Sequence, residues 1–368
     1  MLVSVTGFSG YAALLAVAPA WAVVGGASEA GAGLVNGVLL AATVATQLFV
    51  PRLVRSFGTG PVVVAGLLLM GLAAPAYALS SALGPILAWS AVRGAGFGIL
   101  TVMGSTIVAQ LVPAERRGAA IGVYGLAVAV PNLLLMPGSV LVAERIGYGW
   151  AFAVAALPLL GVPSAIALGR RLRAVEAEVR PSTDAPLERR TVVALLRPTL
   201  ILFAVTMGGG ALMTFAPQLG VGGGAAALVL LVLGVGAAVS RWLVGALADR
   251  HGAQRFLAPL LLLCVAGLAV CGWAVARGDA ALLVLGALLL GPAYGALQNL
   301  TLLVAFAQVS AARIPTASAI WNIGFDAGTA SGSVLVGAIA AGSSFSVGFA
   351  VLAGVAAAAL ALTRSARS

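Results

Sequence analysis

One carboxyl group lies deep in an apolar segment of the sequence, where it could carry protons. Asp326 is the only acidic residue far from the ends of a predicted membrane span, and Asn322 shares its helix face four residues earlier. Burial makes a carboxyl group hold its proton more tightly, whereas a nearby arginine has the opposite effect. A group balanced between the two can exchange protons as a cavity opens to either side of a membrane. A structural acid that joins helices by hydrogen bonds is the alternative.

A second chemical group is an arginine inside an apolar segment, Arg93, which a run of glycines follows. An arginine at mid-bilayer costs about 2.5–3.5 kcal/mol on insertion scales, so its side chain usually faces protein or a water-filled cavity. We therefore assign Arg93 and Asp326 to proton coupling. Snorkelling of the Arg93 side chain to the outer surface is the alternative.

Two predicted helices carry polar stripes at helical spacing. The longer stripe comprises Tyr294, Gln298, Thr301 and Gln308. The shorter stripe comprises Asn36, Thr43 and Gln47. In lipid such stripes face inward, where they either line a cavity or hold helices together, and the sequence leaves both interpretations open.

The composition places these residues in a membrane. Hydrophobic residues make up 61% of the 368 and charged residues only 8%, against roughly a quarter in a soluble domain. Lipid must therefore be the solvent for most of the surface. All 20 basic residues are arginines in short clusters without interleaved aromatic residues, which argues against a nucleic-acid partner. Two cysteines in one apolar segment and a single histidine make a metal site improbable.

Twelve apolar segments are long enough to cross a bilayer core of about 30 Å as helices. They lie near residues 4–24, 32–50, 60–80, 85–111, 118–142, 150–169, 198–218, 224–248, 256–276, 280–308, 316–341 and 343–364. We therefore predict an all-α polytopic membrane protein with twelve transmembrane helices in two six-helix bundles. The bundles are predicted at 1–169 and 198–368, with a cytoplasmic linker at 170–197.

The arginines are distributed unequally among the predicted loops. With a cytoplasmic N-terminus, Arg145 and Arg277 lie outside, Arg93 and Arg241 lie within spans, and the other sixteen of the 20 lie inside. The positive-inside rule then predicts that both termini are cytoplasmic. The first apolar segment has no charged region before it, so we interpret it as a spanning helix and not as a cleaved signal.

The two halves of the sequence resemble each other. A shift of 197 residues places Gly94 on Gly291 and Arg116 on Arg313. Halves with equal numbers of helices and the same orientation are typical of transporters whose parallel repeats rock about a central site. We therefore expect a pseudo-two-fold relation between the bundles.

The most specific motif joins the eighth and ninth predicted spans and runs Gly245-Ala-Leu-Ala-Asp249-Arg250-His251-Gly252-Ala-Gln-Arg255. It resembles the signature loop of the major facilitator superfamily, which implies a cytoplasmic gate formed by Gly245, Asp249, Arg250, Gly252 and Arg255. Gly245 permits close helix approach, and Gly252 supplies a left-handed turn. Asp249 can cap a helix N-terminus or pair with an arginine. A charged anchor loop is the alternative.

Other motifs resemble this family less closely. The first-half loop, 51–58, has Arg55 where the family favours aspartate, so we expect an asymmetric gate. The Arg93 glycine motif is similar to that of the family's fourth helix. The glycine spacing from Gly125 to Pro131 departs from the family's antiporter motif in the fifth helix, which weighs against proton antiport.

The resemblance implies that the first, fourth, seventh and tenth spans line the transport path. It favours Tyr294 and Gln298 as substrate ligands, and we add Asn322, Phe97 and Thr101. We expect a monomeric, proton-coupled exporter of small organic molecules by alternating access, without a cofactor, in the cell inner membrane. The alternatives are uptake or facilitated diffusion of a nutrient, and a membrane receptor or scaffold with the same fold. An enzyme embedded in the membrane would need further intramembrane histidines or carboxylate pairs.

Overall fold

The computed structural model describes residues 1–27, 29–178, 189–216, 219 and 223–363, and these residues form helices joined by short turns. The α-helices of these residues are α1 (Leu2–Leu14), α2 (Val17–Val24), α3 (Glu29–Phe57), α4 (Thr59–Ala76), α5 (Leu83–Leu111), α6 (Arg117–Arg145), α7 (Tyr148–Ala155), α8 (Val162–Glu178), α9 (Arg189–Phe215), α10 (Gly223–His251), α11 (Gln254–Arg277), α12 (Ala280–Ala307), α13 (Ile314–Gly342) and α14 (Phe345–Ala358). They form 12 segments that are long and apolar enough to cross a membrane. No strand occurs in the described ranges. The predicted all-α polytopic fold class is confirmed.

Some spans are interrupted helices. The first span consists of α1 and α2, and the sixth joins α7 to α8 through a 3-10 turn, Leu157–Gly161. At the first break the Asn36 side chain donates a hydrogen bond to the carbonyl oxygen of Leu15 at 2.9 Å. A polar residue of α3 thus satisfies a carbonyl group at the end of α1, where the regular helix stops.

Several helices run beyond the predicted apolar segments. α3 continues through Pro51 to Phe57, and α10 continues to His251, so the following loops shrink to a few residues around Gly58 and Gly252. α8 and α9 enter the predicted linker from its two ends, while residues 179–188 lie outside the described part of the chain. The C-terminal residues 364–368, with Arg364 and Arg367, and residues 220–222 also lie outside it. Hydropathy locates only the apolar part of a helix. The charged ends stay helical because their backbone hydrogen bonds continue while the side chains reach water.

The contacts divide the chain into two compact units. The first contains 1–111, 127–184 and 311–319, and the second contains 112–126, 185–310 and 320–368. The beginning of α6 therefore packs with the second unit and the beginning of α13 with the first. The predicted domain limits at 169 and 198 stay predictions.

Candidate functional site

A ridge of glycines fixes the orientation of α13 in the second unit. The ridge comprises Gly324, Gly328 and Gly332, which lie against α9. A Cβ atom at Gly332 would lie 2.1 Å from the carbonyl oxygen of Met207, so only glycine allows this approach. Residues two positions apart on a helix are separated by about 200°. Asp326 therefore lies on the opposite side of α13 from the ridge, and the face of Asn322 is turned the same way.

Asp326 follows an aromatic residue of α13 that packs against further rings. The half-buried carboxylate lies within electrostatic range of Tyr294 on α12. Phe325 is 6.5 Å from the Tyr294 ring, and Trp321 stacks on Phe325 at 5.9 Å, as measured between ring centroids. The Trp321 indole donates to the Thr301 hydroxyl at 3.0 Å, which fixes the beginning of this aromatic row. Thr301 therefore holds helices together.

Tyr294 and Gln298 lie one turn apart on α12, as their spacing predicts. A Cβ atom at Gly209 of α9 would lie 2.3 Å from the Tyr294 ring, so this glycine makes room for the ring. The Gln298 side chain interacts with Tyr294 and is 2% exposed. Its Nε2 atom has no hydrogen-bond partner among the described residues. Asn322 is also buried, on the adjacent helix.

Arg241, which was not among the predicted site residues, adjoins Tyr294. Arg241 of α10 is half-buried and lies within electrostatic range of both Tyr294 and Tyr124 of α6. Its aliphatic stem crosses Gly125, where a Cβ atom would lie 2.1 Å from the arginine Cδ. Gly125, which begins the glycine–proline stretch of the fifth span, thus makes room for the arginine side chain.

Asp249 caps the N-terminus of α6. Its carboxylate accepts hydrogen bonds from the backbone N–H groups of Gly118 at 2.8 Å and Ala119 at 2.9 Å. These are two of the N–H groups that a first helical turn leaves unpaired, and the helix dipole adds to their attraction for a carboxylate. Of the two arrangements that the sequence left open for Asp249, the structure shows capping.

The same two helices touch closely behind Asp249. A Cβ atom at Gly245 would lie 2.2 Å from the carbonyl oxygen of Gly118. Asn299 of α12 donates to the Arg241 carbonyl oxygen at 2.8 Å and to that of Gly118 at 3.4 Å. We call this contact, residues 118–125 against 241–249, the α6–α10 seam. It holds the Arg241 backbone against α6.

The remaining residues of the predicted gate lie at the end of α10 and the beginning of α11. Arg250 and Arg255 are exposed. Gly252 has a φ of 83°, the left-handed conformation that its place in the motif predicts. The gating role of this loop stays a prediction.

Arg93 is enclosed by neighbouring helices of the first unit. It is 1% exposed, and its guanidinium donates to the Gly10 carbonyl oxygen at 2.9 Å and to the Tyr77 hydroxyl at 3.5 Å. The Tyr77 hydroxyl is also 2.7 Å from the Ser90 hydroxyl. The side chain therefore does not snorkel, and its contacts are those of a brace between helices. Its coupling role stays a prediction.

The other predicted ligands of α5 also lie in the first unit. Phe97 stacks on Tyr11 at 4.0 Å between ring centroids. The Thr101 hydroxyl accepts from Gln47 at 3.1 Å and donates to the Gly98 carbonyl oxygen at 3.1 Å. Thr43, in the same stripe as Gln47, donates to the carbonyl oxygen of Gly94. The shorter polar stripe therefore holds α3 against α5.

The structure thus brings Tyr294, Gln298 and Asp326 together with Arg241 and Tyr124 in the second unit, while Arg93, Phe97 and Thr101 lie in the first. Among the described residues, no group of three or more histidine, cysteine, aspartate or glutamate side chains could hold a metal ion.

Comparison with known families agrees with this architecture. The sequence profile of the Major Facilitator Superfamily (MFS) matches residues 1–310. The chain belongs to the major facilitator superfamily. It is a multi-pass membrane protein, and the resemblance of the loop 245–255 to this superfamily is confirmed.

Individual relatives cover less of the chain. The MFS-type transporter YtbD of Bacillus subtilis (strain 168) is 27% identical over 183 residues, 47% of this chain and 45% of that one. The chloramphenicol resistance protein of Streptomyces lividans is 31% identical over 279 residues, 66% of each chain. The chain thus spans about half to two-thirds of the length of these relatives.

The fold is shared over nearly the whole chain. The crystal structure of the human organic anion transporter MFSD10 (TETRAN) superposes with a TM-score of 0.78, covering 99% of this chain and 97% of that one. The two sequences are 18% identical, so this similarity concerns the fold alone.

Proposed function

We propose that the chain is a secondary active transporter that exports small organic solutes by proton-coupled alternating access. Its membership of a transporter superfamily sets the reaction class, and the position of Asp326 carries the proposal of coupling. A half-buried carboxyl group beside Tyr294 and an aromatic row can exchange protons when its access to water changes. Uphill transport needs a group of this kind because substrate binding alone gives only equilibration.

The direction of transport rests on a relative. The chloramphenicol resistance protein of Streptomyces lividans is named for resistance to an antibiotic, and resistance conferred by a transporter requires export. Two buried polar residues on the helices that carry the aromatic row, Gln298 and Asn322, are amides, which suits a small amphipathic solute. We extend the proposal to a monomer in the cell inner membrane. The arginine distribution supports a cytoplasmic position for both termini.

Counterflow in proteoliposomes tests the proposal. Purified protein is reconstituted, loaded with unlabelled chloramphenicol as a neutral amphipathic probe or 2-naphthoate as an anionic one, and given labelled probe outside. We expect exchange of at least one probe and its accumulation against a gradient when a pH difference is imposed. Vesicles without protein provide the background.

Other outcomes assign the alternatives. Exchange that ignores the pH difference indicates facilitated diffusion, and accumulation together with protons indicates uptake. Binding of a probe without any flux contradicts the proposal and indicates a receptor or scaffold.

A further inference from the structure

Arg241 is a permanent cation inside a membrane span, and in the described part of the chain its guanidinium lies near phenols and not near a carboxylate. It lies within electrostatic range of two phenols, Tyr124 and Tyr294. Among the described residues, no carboxylate lies within ion-pair distance of it and no backbone carbonyl oxygen accepts from it. The guanidinium can only donate hydrogen bonds, and a phenol can donate as well as accept, so these side chains can supply donors to a ligand. A guanidinium forms charge-assisted hydrogen bonds with an anion, so this part of the second unit is suited to an anionic group.

This arrangement is built into the packing of the helices. Gly125 leaves room for the arginine stem, and Gly209 leaves room for the Tyr294 ring. Asn299 holds the Arg241 backbone from the other side with a hydrogen bond of 2.8 Å. The arginine is therefore positioned by two neighbouring helices, α6 and α12, and the Tyr294 ring by α9, which favours a preformed site.

A further donor lies beside the cluster. The Nε2 atom of Gln298 makes no hydrogen bond of normal length and angle in the described part of the chain, although the amide interacts with the Tyr294 phenol one turn away, and the side chain is 2% exposed. A buried amide N–H group without a partner costs about 1–3 kcal/mol, so a ligand that accepts from it is favoured. This observation is independent of Arg241.

An apolar surface continues from the cluster. Phe325 is 6.5 Å from Tyr294, and Trp321 stacks on Phe325. Resting on the proposed function, we propose that Arg241, Tyr124, Tyr294 and Gln298 bind the anionic group of an aromatic monoanion, and that organic carboxylates are the substrate class. The aromatic row holds the body of the substrate. A dianion would bring a second negative charge near Asp326 without a second cation to offset it, so phosphates and dicarboxylates are disfavoured.

Calorimetric titration of the protein in lipid nanodiscs tests this proposal with two probes of equal shape, 2-naphthoate and the neutral 2-naphthamide. We expect wild-type protein to bind the naphthoate more tightly. Arg241→Gln should weaken naphthoate binding by about ten- to a hundredfold and leave naphthamide binding within about threefold, since a hydrogen bond to a charged group contributes roughly 1.5–3 kcal/mol. Arg241→Lys should restore part of the preference because it keeps the charge without the planar fork.

Arg277→Gln is the matched control. Arg277 is an exposed arginine beside an aromatic ring, with its guanidinium carbon 5.8 Å from the centre of Trp273, and its loss should leave both affinities unchanged. If Arg241→Gln does not fold, Tyr124→Phe and Tyr294→Phe keep their rings and should each weaken naphthoate binding by about three- to tenfold.

Equal binding of the two probes by wild-type protein, or no binding of 2-naphthoate, overturns the proposal. Unchanged naphthoate affinity in a folded Arg241→Gln variant does so as well. Chloramphenicol transport driven by a pH difference, without any preference for 2-naphthoate, would leave the proposed function intact and remove only this inference. A preference for 2-naphthoate without flux of either probe would do the reverse.

Discussion

The two arginines inside the membrane spans have different surroundings. Arg93 in the first unit is 1% exposed and donates to the carbonyl oxygen of Gly10 and the hydroxyl of Tyr77. Arg241 in the second unit is half-buried beside Tyr124 and Tyr294. The first cation donates to acceptors that belong to the fold, and only its Nε atom has no partner among the described residues. The second lies beside phenols, which can donate to a ligand as well as accept.

This difference separates a structural charge from one that can serve a ligand. A buried arginine whose hydrogen bonds end on backbone and neighbouring helices stabilises the fold, and any ligand would have to displace those bonds. A partly exposed arginine that donates to no backbone carbonyl oxygen can donate to a substrate without losing bonds of the fold. The chemical type of the residue is the same, so only its contacts distinguish the two roles.

The largest effect on stability is expected at Arg93. Arg93→Gln removes the donor to Gly10 and the contact with the Tyr77 hydroxyl, both in the interior, and should lower the free energy of unfolding by about 2–4 kcal/mol. Arg241→Gln should lower it by less than about 1 kcal/mol, since that side chain is partly exposed. Denaturation by SDS in mixed micelles, followed by tryptophan fluorescence, measures both. Equal losses would remove the distinction between the two arginines.

A smaller effect is expected at the seam that holds Arg241. Asp249→Asn keeps one acceptor for α6 but loses the charge and one of two hydrogen bonds. We expect normal insertion and a turnover slowed by roughly three- to tenfold, because one of two transport states loses a charge-assisted contact. The affinity for 2-naphthoate should stay within about threefold, since Asn299 and Gly245 still hold α6 against α10.

Arg55→Ala is the control for this variant, because the first-half loop has no acid at the matching position. Its turnover should stay within about twofold of wild type. Initial rates of counterflow at saturating substrate give both values. If Asp249→Asn exchanges substrate as fast as wild type at normal expression, the loop is an anchor and not a gate.

The smallest effects are expected from replacing the tyrosine beside each of the two arginines with phenylalanine. Tyr77→Phe removes an acceptor of Arg93 and the hydrogen bond with Ser90, and should cost about 1 kcal/mol of stability. Tyr124→Phe, beside Arg241, should weaken naphthoate binding by about three- to tenfold, whereas Tyr77→Phe should leave it unchanged. SDS denaturation and calorimetry of both variants separate the two cases. The comparison fails if Tyr124→Phe loses stability and keeps its affinity.

Hydropathy and spacing predict most of the fold. The twelve apolar segments locate every span, because lipid requires each spanning helix to be apolar over about 20 residues. The glycine and aspartate of the 245–255 motif predict a close helix approach and a cap, but their partners on α6, Gly118 and Ala119, are identified only by the structure. Helix ends were predicted less well, because charged residues extend helices beyond their apolar parts, as in α9 from Arg189.

The site was predicted only in part. Tyr294 and Gln298 could be selected from their spacing on one helix, and Asp326 from its isolation. Arg241 was noted only as an arginine within a span, because its significance depends on Tyr124 and Gly125, which are more than a hundred residues away in the sequence. The cost of placing an arginine in a membrane was the one signal available, and it applied equally to Arg93. Whether polar stripes hold helices together, as Asn36 and Thr43 do, is also decided by contacts between helices.

The central claim is that Asp326 couples transport to protons, and Asp326→Asn tests it most directly. Asparagine keeps the shape and the hydrogen-bonding capacity but cannot ionise. Paired assays in proteoliposomes measure uphill accumulation driven by a pH difference and exchange of substrate for substrate. We predict that Asp326→Asn abolishes the first and retains the second, because exchange needs no net movement of protons. A stable variant that still accumulates substrate in response to the pH difference would contradict the account.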